Sequence, residues 1–259
     1  MSKPVTVIKI GGSLLEERNI GPLMRGLAHY LRKHKAILVH GGGKEVTALG
    51  LRLGRKSRFV NGRRYTNDKM MAIVEMALSG KVNPFLVGRL NALGIPALGL
   101  SGRDANLVCA KRVASLGRVG VPSIVKSSPI LKMISSGDVP VFTSIASDGR
   151  GGSLNVNADE MAGALATALR THRLVLFTDV PGILDSEKKT ISHINEKIAL
   201  KLIRDGTISG GMIPKVRSAL NALKKGVKEI WILEGKLPLR SARGTLISQN
   251  VLSGRHPFA

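Results

Sequence analysis

Val7-Ile-Lys9-Ile-Gly-Gly-Ser13 is a β-rich run that carries one lysine and then opens into glycines. Its apolar residues fall on both sides of the chain, which fits a strand covered on both faces in a parallel sheet. A lysine there is costly to bury unless an anion meets it, and the amides bared by Gly11 and Gly12 suit phosphate oxygens. An ordinary tight turn, with Lys9 stretching its ammonium to water, accounts for the same residues. The spacing excludes a Walker A loop, and no G-x-G-x-x-G fingerprint follows a strand. The design recurs in Ile37-Leu-Val-His-Gly-Gly-Gly-Lys44, where a buried strand runs into Gly41, Gly42 and Gly43 and then a helix. Bare amides and a helix N-terminus at that point would face a negative group. His40 reads as structural, and the six histidines show no metal-ligand spacing, so no metal site is expected.

Outward from these turns, further β-rich runs lie at residues 95–100, 139–145, 174–178 and 230–233. Stretches of helical period fall near 20–34, 43–53, 67–79, 82–93, 157–170, 195–204 and 214–225. Such alternation predicts an α/β fold with a mainly parallel sheet between helices and ligands at the carboxyl ends of the strands. Residues 106–125 lack a helical period and read as a β-hairpin excursion over that edge. The glycine-rich stretch 147–153 is the best boundary between two lobes, residues 1–150 and 151–259.

With 259 residues, 43% of them hydrophobic, the chain can bury a core as one large domain or two joined lobes. No apolar run approaches the roughly 18 residues of a membrane span, and the apolar start is interrupted by Lys9 and followed by Glu16 and Glu17. The reading is therefore no signal peptide and no membrane. Cys109 is the single cysteine and cannot form an intrachain disulfide, which suits a reducing, cytoplasmic compartment; it reads as a small buried hydrophobe. The net charge of +23 is concentrated towards the start, where residues 1–112 hold 20 Lys or Arg against 6 Asp or Glu. That field favours an acidic partner or simply solubility. With aromatics at 3% and no nucleic-acid-reading motif, nucleic acid is disfavoured.

Three later motifs carry chemistry. Phe59-Val-Asn-Gly-Arg-Arg-Tyr-Thr66 puts Arg63 and Arg64 beside a turn, as a solvated basic loop or as an arginine fork for a small carboxylate. Leu154-Asn-Val-Asn-Ala-Asp-Glu160 opens an alanine-rich helix; Asn155 and Asn157 are cap-type residues, and Asp159 in the first turn is a structural helix start or an acceptor that orients lysines or a metal-bound water. Leu176-Phe-Thr-Asp-Val-Pro-Gly-Ile-Leu184 ends a strand in polar groups, and Ser209-Gly-Gly-Met-Ile-Pro-Lys215 delivers Lys215 at a helix start. A lysine at the positive end of a helix calls for a negative neighbour, and a triphosphate meets that need.

These motifs, with Val-Glu-Met-Ala-Leu-Ser-Gly-Lys-Val-Asn at 74–83 and Leu-Gly-Leu-Ser-Gly-Arg-Asp at 98–104, come in an order that resembles the amino-acid kinase family, closest to its N-acetylglutamate kinases. The resemblance implies a three-layer αβα sandwich, an N-terminal lobe for the acyl-amino acid and for a homodimer, and a C-terminal lobe for ATP with Mg²⁺. By resemblance, Lys9 and Lys215 flank the transferring phosphoryl group and Asp159 organises them. Gly42, Gly43, Arg64 and Asn155 hold the substrate. Gly11 and Gly12, the run Asp179, Val180, Pro181, Gly182, Ile183 and Leu184, and Thr207, Ile208 and Ser209 lie around the nucleotide.

Two departures open an alternative. Arg63 and Tyr65 around Arg64 are more similar to kinases acting on glutamate or α-aminoadipate held by an acidic amino-group carrier protein, and Gly-Arg-Asp-Ala-Asn at 102–106 lacks the glycine usual after Asp104. The charge leans towards the carrier; Gly-Gly-Met-Ile-Pro-Lys leans towards the free acetylated substrate, which is the expectation adopted. A non-catalytic amino-acid sensor would be expected to lose Lys9, Asp159 or Lys215, and all three are present. The chain begins directly at its first strand, from which a dimer insensitive to arginine is expected.

Overall fold

A computed structural model describes residues 4–15, 17–60, 62–235, 239, 243–249 and 256–258. Asn61 and Glu16, both within stretches quoted above, lie outside the described residues, as do parts of 236–259 in the second proposed lobe. In chain order the elements are β1 (Thr6–Ile10), α1 (Glu17–Leu31), β2 (Ala36–His40), α2 (Gly43–Arg52), β3 (Phe59–Val60), β4 (Arg63–Arg64), α3 (Asp68–Ala77), α4 (Asn83–Ala92), β5 (Ala97–Leu100), β6 (Val108–Arg112) and β7 (Val119–Val125). There follow α5 (Ser127–Ser135), β8 (Val139–Thr143), β9 (Ile145–Ser147), β10 (Ser153–Val156), α6 (Ala158–Ala168), β11 (Arg173–Thr178), β12 (His193–Ile194), α7 (Glu196–Arg204), α8 (Met212–Lys224), β13 (Glu229–Glu234) and β14 (Gly244–Ile247).

Eight strands form one sheet in the order β12-β14-β13-β11-β1-β2-β8-β5. Among the described residues every pair in it is parallel except β13 with β14. The strands from the two halves of the chain meet where β1 pairs with β11, so the sheet itself is continuous. Alternation along the strands sends side chains to two cores. Val7, Ile37, Val39, Leu174, Leu176, Ile230 and Ile232 pack on one face with Met161 and Leu165 of α6 and Val216 and Leu220 of α8. Ile8, Ile10, Leu38, Val175, Phe177, Trp231 and Leu233 pack on the other with Ile20, Leu23 and Leu27 of α1 and Leu86 and Leu90 of α4. This is the expected αβα layering. Lys9, two residues after Val7, is thereby aimed at α6 and α8.

Several sequence expectations shift. The run 139–145 is two strands, because β8 ends at Thr143 in the large sheet while β9 joins a small closed barrel with β6, β7 and β10. The hairpin expected over 106–125 is β6 with β7 in that barrel. The glycine-rich stretch 147–153 closes a second hairpin, β9 with β10. Helix α5, with Ile130 and Ile134 buried, and strands β12 and β14 were not legible as periods. Finally, α3 and α4 join through a π-helical turn, Leu78–Val82, into a run, Asp68–Ala92, that is long and apolar enough to span a membrane. Half of its apolar 18-residue window is buried inside the fold, and its Met70, Ile73, Val74, Leu78, Leu86 and Leu90 are core residues.

Candidate active site

The carboxyl ends of β1 and β2 carry the two glycine turns, and they pack against each other: a Cβ built on Gly12 would lie 3.4 Å from the Gly42 and Gly43 nitrogens. A Cβ on Gly42 would meet Leu78 Cδ2 at 2.6 Å, so only glycine lets the turn approach the π-helical segment. Beneath this turn His40 is fully buried, and burial drives its pKa down to about 4. It is therefore neutral. Asn83 Nδ2 donates to the Val141 carbonyl at 2.8 Å and faces His40 Nε2 at 3.0 Å; Nε2 must then accept, and His40 Nδ1 donates to the Gly41 carbonyl at 2.8 Å. That bond fixes the orientation of the peptide that begins the second glycine turn.

The face alternation that aims Lys9 at the helices brings it to Asp159, in the first turn of α6. Asn157 caps that helix, its side chain accepting from the amides of Asp159 at 2.8 Å and Glu160 at 3.3 Å. Lys9 Nζ lies 2.9 Å from Asp159 Oδ1, off the hydrogen-bonding angle, and Lys215 Nζ donates to Oδ2 at 2.9 Å. All three side chains are buried. Burial raises the Asp159 carboxyl, but Lys9 and Lys215 outweigh it and hold its pKa at about 2. Burial and the charge of Lys9 lower the Lys215 ammonium against the pull of Asp159. The negative neighbour that Lys215 requires is thus supplied by the protein, and the cluster still keeps one positive charge in excess. The start of α8, where Lys215 sits, has no side-chain cap and no acidic residue in its first turn.

From Lys9 and Gly12 a cavity of about 240 Å³ runs past Gly41, Gly42 and Gly43 to Arg64, with Asn155 along its wall. Arg64 is 7% exposed, held by the Gly43 carbonyl at 2.8 Å, Thr47 Oγ1 at 2.9 Å and the Ser57 hydroxyl, and stacked over Phe59 at 4.7 Å. Burial lowers its pKa, and no carboxylate among the described residues pairs with it. Asn155 donates to Thr66 Oγ1 at 3.1 Å, and Thr66 donates to the Arg64 carbonyl at 2.8 Å, tying the cavity wall to the arginine's backbone. One end of this space is cationic through two lysines on one aspartate; the other is cationic through a buried guanidinium on neutral oxygens.

The chain matches the amino acid kinase family over residues 4–234. It belongs to that family. Among curated members of the amino acid kinase family, the acetylglutamate kinase of Endomicrobium trichonymphae is 42% identical over 95% of this chain and 99% of its own length. That of Rhodopseudomonas palustris strain CGA009 is 45% identical over 78% of this chain and 72% of its own. Of solved structures, smu.665 from Streptococcus mutans UA159 superposes with a TM-score of 0.86 at 28% identity, covering 95% of this chain and 99% of that one. A carbamate kinase from Giardia lamblia, TM-score 0.71 at 16% identity over 96% and 99%, shares the fold.

Within this amino acid kinase the expected residues fall into two groups. Lys9, Gly12, Gly42, Gly43, Arg64 and Asn155 line one cavity, with Asp159 and Lys215 meeting Lys9 at its end. Gly11 backs onto the end of β11, a Cβ there falling 2.9 Å from the Phe177 carbonyl. Asp179, Val180, Pro181, Gly182, Ile183 and Leu184 form the loop beyond β11, pinned where Thr190 Oγ1 donates to the Pro181 carbonyl and the Ile183 amide to Thr245 Oγ1. Thr207, Ile208 and Ser209 precede α8. The side chains of Ile183 and Ile208 belong to the core, so they present only backbone to a ligand. Missed from sequence were Ser144, which lines the cavity from the break between β8 and β9, and the His40–Asn83 support. The asparagine follows directly on the π-helical turn Leu78–Val82, so the direction of its side chain depends on that geometry, and no periodicity shows it.

Proposed function

We propose that this chain is an ATP-dependent kinase that phosphorylates the side-chain carboxylate of N-acetyl-L-glutamate to an acyl phosphate, a step of arginine biosynthesis. The observation that carries the reading is the Lys9–Asp159–Lys215 cluster opening onto a cavity that ends in buried Arg64, which has no carboxylate partner among the described residues. A relative named acetylglutamate kinase, matched along 99% of its own length, supports it.

In this reading Arg64 takes the acceptor's α-carboxylate, while Gly42, Gly43 and Asn155 address the polar atoms around it. The side-chain carboxylate then points towards Lys9. Its ordinary pKa of about 4.3 leaves it ionised at neutral pH, so it attacks the γ-phosphorus without a general base. A carboxylate O–P bond forms as the bond from phosphorus to the β–γ bridging oxygen breaks, and ADP leaves. Lys9 and Lys215 approach the equatorial and bridging oxygens, where charge accumulates, and Asp159 keeps two mutually repelling ammoniums at set positions. The uncapped start of α8 and the loops 179–184 and 207–209 suit the nucleotide's phosphates and base. No three His, Cys, Asp or Glu side chains gather among the described residues, and both oxygens of Asp159 face lysines. A magnesium ion carried on the nucleotide's phosphates would supply further positive charge. The division of labour is an acceptor half, residues 1–150, and a nucleotide half, 151–259. The homodimer has a surface available in β5, an edge strand with Leu98 exposed. A cytoplasmic location goes with the lone Cys109.

A second reading, a glutamate or α-aminoadipate held by an acidic carrier protein, is favoured by one feature. The end of α2 and the loop after it expose Arg52, Arg55, Lys56 and Arg58 next to Phe59 at the cavity wall. Incubation with ATP, Mg²⁺ and hydroxylamine distinguishes these, because an acyl phosphate is trapped as a hydroxamate. Free N-acetyl-L-glutamate is expected to give the hydroxamate; its formation only from a carrier-linked acceptor would replace the first reading by the second, and formation from neither would end both.

A further inference from the structure

Two adjacent arginines look alike in sequence, but the structure gives them different neighbours. Arg64 has no carboxylate among the described residues, whereas Arg63 Nη2 lies 2.5 Å from Oε1 of Glu160, a residue 97 positions away. Both side chains are largely covered, at 30% and 25% exposure. Glu160 follows Asp159 directly in the first turn of α6. Burial pushes its carboxyl up, and its Oε2 is buried with no hydrogen-bond partner among the described residues, so Arg63 is the charge that compensates it.

The hairpin that carries Arg63 is short in itself, and its other ties run through Arg64 to α2 and through Thr66 to Leu116 and Asn155. Strands β3 and β4 pair over only Phe59↔Arg64 and Val60↔Arg63, and Phe59 is 57% exposed. Yet the hairpin crosses the cavity. Arg64 grips α2 through the Gly43 carbonyl and Thr47, Arg63 reaches the start of α6, and a Cβ built on Gly62 would lie 3.7 Å from Pro214 Cγ, next to Lys215. Arg63 also lines the cavity wall while its guanidinium is engaged by Glu160.

We propose that Arg63 is a positioning residue: its ion pair with Glu160 latches the β3–β4 hairpin onto the start of α6, fixing the distance between Arg64 and the Lys9–Asp159–Lys215 cluster. The latch aligns the two ends of the acceptor and rests, in that respect, on the reading of the cavity given above. If Arg63 instead bound the acceptor itself, removing Glu160 would free the guanidinium and leave acceptor affinity equal or better.

The test uses Glu160→Gln, Arg63→Met and the exchanged pair Arg63→Glu/Glu160→Arg in the full chain, with two readouts. In ligand-free protein, hydrogen exchange of the amides in residues 58–66 should be at least about 5-fold faster in both single variants and partly restored in the exchanged pair. In steady-state kinetics with N-acetyl-L-glutamate, both single variants should raise the acceptor KM by about 5-fold or more and change the ATP KM by less than about 2-fold. Unchanged exchange in the single variants overturns the latch. A raised acceptor KM in Arg63→Met with a parent-like Glu160→Gln overturns the positioning role in favour of direct contact. Absence of turnover in the parent would refute the proposed substrate, while hydrogen exchange would still decide the latch.

Discussion

At one end of the cavity Lys9 and Lys215 share the carboxylate of Asp159, whereas at the other Arg64 is buried on a carbonyl and two hydroxyls. The lysines are point charges on flexible stems, and a fixed anion between them sets their separation before any ligand arrives. The arginine is a planar fork already held from behind, with no carboxylate among the described residues to compensate its charge. The first end is arranged for charge that develops during a reaction; the second is complete only when a carboxylate enters. This predicts that substitutions at the lysine end act on turnover and those at the arginine end on acceptor binding.

The largest expected effect is at Lys215. Lys215→Ala should lower kcat by about 10² to 10³ with the fold intact, the scale of a deleted transition-state donor. Near-parental kcat in a folded variant would detach Lys215 from the chemistry. Next is Asp159→Asn, for which kcat should fall by about 10² while nucleotide Kd changes by less than about 3-fold; a matching loss in nucleotide affinity would make the aspartate a binding group. Arg64→Lys should behave in the opposite sense, raising the acceptor KM by about 10-fold with kcat within about 3-fold, because an ammonium cannot replace the fork. A kcat defect at constant KM would erase the contrast between the two ends.

The smallest effect at neutral pH concerns the support under the glycine turn. His40 has a folded pKa of about 4 against an ordinary 6.5. A depressed folded value means the unfolded chain binds the proton first, so the stability is fully present above about pH 6.5 and is lost as pH falls towards 4. The full loss is about 3 kcal/mol from this site. His40→Asn should flatten denaturation free energy over that window while changing kcat at pH 7 by less than about 3-fold; an unaltered pH slope would show that His40 is not the titrating group.

The strands and the lysine end were largely legible. Two-faced apolar runs marked β1, β2, β11 and β13, and the phase that puts Lys9 on the same face as Val7 follows from the period of two. The arginine end was legible as a motif but not as a contrast. That Arg63 meets Glu160 while Arg64 meets no carboxylate among the described residues is set by how a short hairpin lies across a cavity, a long-range relation that no local pattern encodes. Ser144 was hidden because 139–145 reads as one apolar strand, although the chain leaves one sheet at Thr143 and enters another at Ile145. Strand β14 was missed because Gly244–Ile247 is a four-residue run that opens on a glycine, too short to show a period.

The account turns on an N-blocked amino acid seated between Arg64 and the lysines, so the most direct measurement is kcat/KM for N-acetyl-L-glutamate beside L-glutamate, followed as ATP-dependent hydroxamate. A free α-ammonium would enter a cavity already cationic at both ends. The account predicts a value on the order of 10⁴ M⁻¹s⁻¹ or better for the acetylated acceptor, with L-glutamate lower by about 10² or more through charge repulsion. Equal use of the two, or no turnover of the acetylated one, would contradict it.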